Sequence, residues 1–478
     1  MSDSLSQAVE TALGAGIDVP ASDDNAAYIG NDEQKNPSPT DAAALPRRKK
    51  VDHHLWGTYI LLVSIAIVEL FSASVQEVHG GNIFEPILRQ GIFLVIGLAM
   101  MLIIQKIHYR HVYNFIPIYV IASICLLVAV AAGGEEVNGA VRRVRIAGIP
   151  VLPAEFMKLA AALGMAWILT QTQVKDKHDV TWGGFVACML FMLISCVLLF
   201  SQGLSNTLIV VAISFSMMLV GGMSLKKVFL ALAIVGVLGG TAIFIKTQAK
   251  DTTELTPVQR QTFELNHVTI EEGLADGRGE TWKQRLIRHF KPDKYNEKFD
   301  VKYQQEQLSY IAQAHSGIIG VGPGKSRENA RLPLASLDYI YAIIIEELGL
   351  LAGLGILIIY MWILGRSAKL TMQFKMTMPG VLVMGCAFTI VFQALFHMSI
   401  VTGVFPVSGQ PLPLISKGGI SVLATSLAFG VMLSCAKHAA RASDTKAEQA
   451  KERASLPENA RSVNPVLISD VDTTKEEK

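Results

Sequence analysis

Residues 317–350 read GIIGVGPGKSRENARLPLASLDYIYAIIIEELGL. A glycine-punctuated loop runs through an arginine and a Leu-Pro pair to one aspartate, Asp338, and an apolar run of helix length follows at once. That run soon carries two adjacent glutamates, Glu346 and Glu347. Carboxylates beside or inside a membrane segment are expensive unless they have partners or work to do. Asp338 is therefore a functional candidate on position alone; the competing reading is a helix-capping aspartate at the positive end of the helix dipole. On a continuous helix Glu346 and Glu347 lie roughly 12 Å deeper, where they are expected to pair inside a bundle.

Outward from this stretch the chain is apolar almost throughout. Of 478 residues 51% are hydrophobic and only 17% charged, and mean hydropathy is positive. A hydrocarbon core needs about 20 apolar residues per helix, and such runs recur at 55–74, 85–105, 112–132, 153–172, 183–200, 204–222, 227–246, 338–363, 378–399 and 419–436. The expected fold is an all-α polytopic membrane protein of about ten helices, since a spanning segment must satisfy its own backbone. A net charge of +2 says little about partners, and no nucleic-acid partner is expected. The cysteines (Cys125, Cys188, Cys196, Cys386, Cys435) sit unpaired in apolar stretches and read as small buried hydrophobes.

Residues 1–50 are polar and end in RRKK, and they read as a disordered cytoplasmic tail without a signal-peptide core. Short-loop cations then fix the orientation. Lys106, Arg110, Lys175, Lys177, Lys226, Lys227, Arg366, Lys369, Lys375, Lys437 and Arg441 all fall on the cytoplasmic side, with the charged 437–478 tail. Two outer loops break the trend, with Arg142, Arg143 and Arg145 in 133–152 and Lys417 in 400–418. Cations against the bias suggest anion binding; snorkelling or solvated charge is the alternative. Residues 247–337 form one long extracytoplasmic connection. Within it TWKQRLIRHF places Trp282, Leu286, Ile287 and Phe290 on one helical face, suited to the membrane interface or to packing on the bundle. The Gly320, Gly322 and Gly324 series has no preceding strand, so a tight backbone loop is the better reading than a nucleotide cradle.

Several long motifs in order resemble the SEDS family, the FtsW and RodA glycosyltransferases of bacterial cell-wall synthesis, across 55–436. NGAVRRVRIAGIPVLPAEFMK is similar to the family's NGAxRWIxxGxxxxQPSExxK, which puts Asn138, Gly139, Ala140, Arg142, Pro153, Glu155 and Lys158 on its positions. IAQAHSGIIGVGPGKS, LPLASLDYIYAIIIEELG and GVFPVSGQPLPLISKGGIS resemble three further stretches, and the wording of 408–416 resembles the FtsW branch more than RodA. Departures are Arg143 for the usual Trp, Leu152 for the Gln before Pro, and Ser336-Leu337 for the His-Thr before the aspartate. Glu69 stands in the first span where the family more often has an apolar residue. Nothing near it in sequence supplies a partner, so it reads as structural.

The resemblance implies a 51–436 membrane domain that polymerises lipid II into glycan strands during division. The acceptor 4-hydroxyl attacks with inversion and undecaprenyl pyrophosphate leaves. Asp338 is the implied general base. Arg142, Arg145, Lys158, Lys325, Arg331 and Lys417 are the implied cations for the pyrophosphate, with a divalent cation (Mg2+ or Mn2+) able to share the task and no organic cofactor. Glu155 and Lys158, three apart on a helix, form either a buried pair ordering the cavity or a direct substrate contact. The implied partners are a class B penicillin-binding transpeptidase and other division membrane proteins, in the inner membrane at the septum with both termini cytoplasmic. A RodA-like elongation polymerase, a lipid II flippase and a non-catalytic division scaffold are the competing readings.

Overall fold

The computed structural model describes residues 51–74, 84–133, 135–137, 140–146, 149–174, 179–200, 202–248, 288–290, 304–329, 331–332 and 335–464. The N-terminal tail, Asn138, Gly139 and the 281–287 part of the amphipathic stretch lie outside them. Ten helices match the ten apolar runs: α1 (His53–Ser74), α2 (Phe84–Lys106), α3 (Tyr109–Gly133), α4 (Pro153–Gln171), α5 (Trp182–Phe200), α6 (Leu204–Val220), α7 (Leu225–Gln248), and after the long connection Ile340–Gln373, Thr377–Val401 and Gly419–His438. Seven are long and apolar enough to cross a membrane by length and composition. The chain is a multi-pass membrane protein.

Sidedness of burial separates the helices. α4 and the Thr377–Val401 helix are buried on nearly every face, including Ala160, Ala162, Ala166, Val383, Ala387 and Ala394. α2, α3 and α5 instead expose Val95, Ile103, Phe115, Ile121 and Val197. An outward face as apolar as the inside is what hydrocarbon surroundings require. Small alanines let the inner helices approach closely, as in membrane bundles generally.

The all-α expectation needs one addition. The loop between α3 and α4 folds as a small antiparallel sheet, β1 (Glu135–Val137), β2 (Ala140–Ile146) and β3 (Ile149–Val151), in the order β1-β2-β3. The valines and isoleucine of AVRRVRI favour this pleated conformation. Two more short helices precede the eighth long one: α8 (Gln304–His315) and α9 (Ala335–Asp338). The long ones that follow are α10 (Ile340–Gln373), α11 (Thr377–Val401) and α12 (Gly419–His438), with α13 (Lys446–Ser455) beyond them.

Helix α10 is not the straight span the sequence suggests. It breaks at Gly349, whose φ of 87° and ψ of 171° are essentially restricted to glycine. The Tyr341 hydroxyl donates to the Gly353 carbonyl at 3.0 Å, although a straight helix would spread those twelve residues over roughly 18 Å. The two halves therefore bend against each other. The glycine loop closes the break: Val321 and Gly322 amides donate to the Glu346 and Glu347 carbonyls at 3.0 and 2.8 Å. A Cβ on Gly349 would lie 2.3 Å from the Ile318 carbonyl oxygen, and one on Gly320 would lie 2.4 Å from that of Glu347. The tight-loop reading of the glycine series holds, and its amides serve the chain itself.

At the opposite end of the bundle Arg366 of α10 grips Asp52, just before α1, with Nη2 2.6 Å and Nε 3.0 Å from Oδ2. The charged segment after 437 folds back over this end. A Thr445–Glu448 capping box starts α13, the buried Glu452 carboxylate accepts from Tyr109 at 2.5 Å, and Asn464 donates to the Thr371 and Phe374 carbonyls at 2.9 and 3.0 Å.

Candidate functional site

Asp338 closes the α9 turn, and Tyr339, with φ −128° and ψ 17°, separates it from α10. The N-cap position of α10 belongs to Tyr339, whose side chain makes no cap bond, so Asp338 is not itself the N-cap residue of α10. The aspartate is half-buried. Its carboxylate lies against the bare Cα of Gly409, where a Cβ would stand 2.8 Å from Oδ2. Any side chain at 409 would displace it. Neighbouring backbone is tied down as well: the Lys417 amide donates to the Ser336 carbonyl at 2.9 Å, and the Ser416 hydroxyl donates to that of Leu337 at 2.8 Å.

The segment carrying Gly409 was expected to be an outer loop. Instead it dips into the bundle, with 410–416 buried. Its polar backbone is met by side chains from the core helices, as burial demands. Gln393, about two turns inside the end of α11, donates to the Pro411 carbonyl at 3.1 Å. Tyr360 donates to that of Pro413 at 2.5 Å, and Ser408 hydrogen-bonds Ser205 of α6. Leu414 holds a φ of 65°, the one non-glycine residue in the left-handed region among the described residues.

Beneath this segment lies a buried polar network. Lys158 and Glu155 on α4 are 0% and 6% exposed and pair at 2.7 Å. The Lys158 ammonium also donates to Gln410 Oε1 at 3.3 Å, and Gln393 donates to Glu155 Oε2 at 3.0 Å. Gln410 Nε2 donates to Asn206 Oδ1 at 3.0 Å. Glu155 and Lys158 thus form a buried ion pair bonded to Gln393 and Gln410. Asn206, Gln393, His397 and Gln410 were missed from sequence, although a Gln and a His four apart in the apolar run 378–399 are themselves a signal.

The remaining candidates scatter. Lys417 lines a narrow cleft with Glu69, Gln90, Ser336, Ile340 and Ile415. Glu69 is 2% exposed, and neither carboxylate oxygen has a hydrogen-bond partner. Arg142 and Arg145 lie on β2, where Glu135 pairs with Arg143. Lys325 is exposed, and the Arg331 side chain, 70% exposed, reaches Glu328 only at 3.7 Å. Glu346 and Glu347 are 0% and 1% exposed. They were expected to pair inside the bundle, and their partners there come from the glycine loop and α1. Glu346 accepts from Ser326 at 2.5 Å and the Arg327 amide at 3.0 Å, and Glu347 from Ser72 at 2.5 Å and the Gly324 amide at 3.0 Å. Among the described residues no three His, Cys, Asp or Glu side chains gather as a metal site.

Comparisons with known proteins agree with this architecture. A family model described as Cell cycle protein, FtsW/RodA/SpoVE, matches residues 52–441. The probable peptidoglycan glycosyltransferase FtsW of Geobacter metallireducens is 27% identical over 387 residues, covering 78% of this chain and 92% of its own. That of Aromatoleum aromaticum is 28% identical over 394 residues, 79% and 86%. Among solved structures, a chain of a peptidoglycan synthase complex that coordinates polymerization and crosslinking aligns with a TM-score of 0.56 at 23% identity, covering 82% of this chain and 99% of that one. The rod shape determining protein RodA of Thermus thermophilus aligns with 0.54 at 20%, covering 82% and 98%.

Proposed function

Because the chain belongs to the FtsW/RodA/SpoVE family, we propose that it is a peptidoglycan glycosyltransferase that polymerises lipid II during division, with Asp338 as general base. The observation that carries this reading is the Asp338 carboxylate, half-buried and set against Gly409, next in the chain to the Gln410 that the buried Glu155–Lys158 pair holds. A carboxylate there can take the proton of an acceptor 4-hydroxyl that comes within hydrogen-bond reach. The hydroxyl oxygen bonds to the donor's anomeric carbon, with inversion, as the bond to undecaprenyl pyrophosphate breaks. The leaving group needs positive charge. Lys417, in the cleft beside the Ser336–Asp338 turn, is the first candidate, with Arg142, Arg145, Lys325 and Arg331 from the loops of that end. Glu155 and Lys158 act in this reading by holding the 408–411 turn rather than by touching substrate. A divalent cation, Mg2+ or Mn2+, would share that neutralisation of the pyrophosphate.

In this reading the glycine-loop end faces outward, because the short-loop cations collect at the other end. The partner is a class B penicillin-binding transpeptidase in the inner membrane at the septum. Purified protein should convert lipid II to polymer in detergent, with more product when the cognate transpeptidase is present. Detergent has no two sides, so polymer also separates synthesis from flipping. No polymer under either condition would overturn the reading.

A further inference from the structure

His397 on α11 is 1% exposed in the middle of the buried network, and the proposed mechanism gives it no part. Its Nδ1 lies 2.6 Å from the Gln410 carbonyl oxygen. A carbonyl only accepts, so Nδ1 carries the ring hydrogen and Nε2 keeps a lone pair. That Nε2 is buried without a hydrogen-bond partner. The one bond the ring makes is therefore to the backbone of the residue after Gly409, whose bare Cα faces the Asp338 carboxylate. Side-chain contacts fix Gln410 to Asn206 and Lys158 at 3.0 and 3.3 Å, and Gln393 holds the next carbonyl, that of Pro411, at 3.1 Å. His397 alone, among these, holds the Gln410 carbonyl itself.

We propose that His397 is a positioning residue for the polymerase reaction: its Nδ1–H fixes the Gln410 carbonyl and so sets the turn that seats Gly409 against Asp338. This rests on the reading of Asp338 as the base. What the site requires of residue 397 is one N–H at the δ position, not a ring that exchanges protons. Asparagine carries its amide nitrogen at that position; glutamine carries it one bond further out, where the ring has Nε2.

The test compares full-length His397→Asn and His397→Gln with the parent and with Asp338→Asn, measuring kcat and KM for lipid II polymerisation and melting in detergent. His397→Asn should keep kcat within about threefold. His397→Gln should lose roughly 10–100-fold in kcat, the cost of a small misplacement at a reacting centre, with KM and melting close to the parent. Rescue by Gln with failure of Asn would assign the function to Nε2 and overturn the proposal. Parental kcat in both variants would overturn it too. An active Asp338→Asn instead removes the base assignment, whatever the two His397 variants do.

Discussion

Lys158→Met tests whether the buried pair holds the site together. Methionine keeps the unbranched length of lysine and removes the ammonium. Glu155 would then keep only the Gln393 amide at 3.0 Å, and Gln410 Oε1 would lose its 3.3 Å donor. Removing one partner of a buried ion pair costs about 3–5 kcal/mol, because the other charge stays desolvated. At roughly 2 °C per kcal/mol for a chain this long, melting should fall by about 6–10 °C. Adding Glu155→Gln neutralises the stranded carboxylate and keeps an acceptor for Gln393. The double variant should return to within about 2 kcal/mol of the parent, since a neutral replacement of a buried pair is close to balanced. The assay is thermal unfolding of purified protein in one detergent, with lipid II turnover measured on the same samples. A single variant that melts like the parent yet loses turnover would refute the argument and give Lys158 a direct substrate contact. A double variant as unstable as the single would refute the pairing term.

Three further outcomes follow from the same geometry. Gly349→Ala should destabilise by at least about 2 kcal/mol, as it forces a Cβ to 2.3 Å from the Ile318 carbonyl at a φ of 87°, while Gly365→Ala, with open space around it, should be neutral or gain up to about 1 kcal/mol by urea or thermal unfolding. Glu69→Leu should melt no lower than the parent and keep its turnover, because both Glu69 oxygens are unpaired and removing a buried orphan removes a penalty; a tenfold loss of turnover would make Glu69 functional. Burial alone would raise the Asp52 pKa, but the Arg366 hydrogen bonds, the Leu55 amide and the Arg366 and His54 charges together outweigh it and hold it below the ordinary carboxylate value, so Asp52→Asn should cost roughly 1.5–3 kcal/mol at pH 7, with the gap to the parent constant down to the ordinary carboxylate range and closing as pH falls through the lowered pKa.

The spans were legible because each is a run of about 20 apolar residues, and a backbone in hydrocarbon has few other ways to satisfy itself. Asp338 stood out as a candidate for a similar reason, as a carboxylate at the start of such a run. The break in α10 was not. Hydropathy runs straight through Gly349, and only pairing with the distant 317–322 loop makes the glycine a hinge. The dip of 402–418 was hidden in the same way: Pro411 to Ile415 are apolar enough to be buried, but what permits it is Gln393 and Tyr360 meeting the carbonyls. Spacing suggested the Glu155–Lys158 pair, whereas its link to Gln410 spans 252 residues and needs the fold. The arginine cluster at 142–145 was read as anion-seeking, and its strand backbone adds the cross-strand pairings of Arg143 with Glu135 and of Arg145 with Pro150.

The central claim is that Asp338 takes the proton of the attacking hydroxyl. Asp338→Asn keeps the shape beside Gly409 and removes the basic oxygen. Its lipid II polymerisation rate, measured on purified protein with parental melting, should fall by roughly 10²–10⁴. Glu346→Gln, which disturbs the Ser326 and Arg327 bonds, should lower melting more than rate. Near-parental polymerisation by Asp338→Asn, with Glu346→Gln folded but inert, would contradict the account.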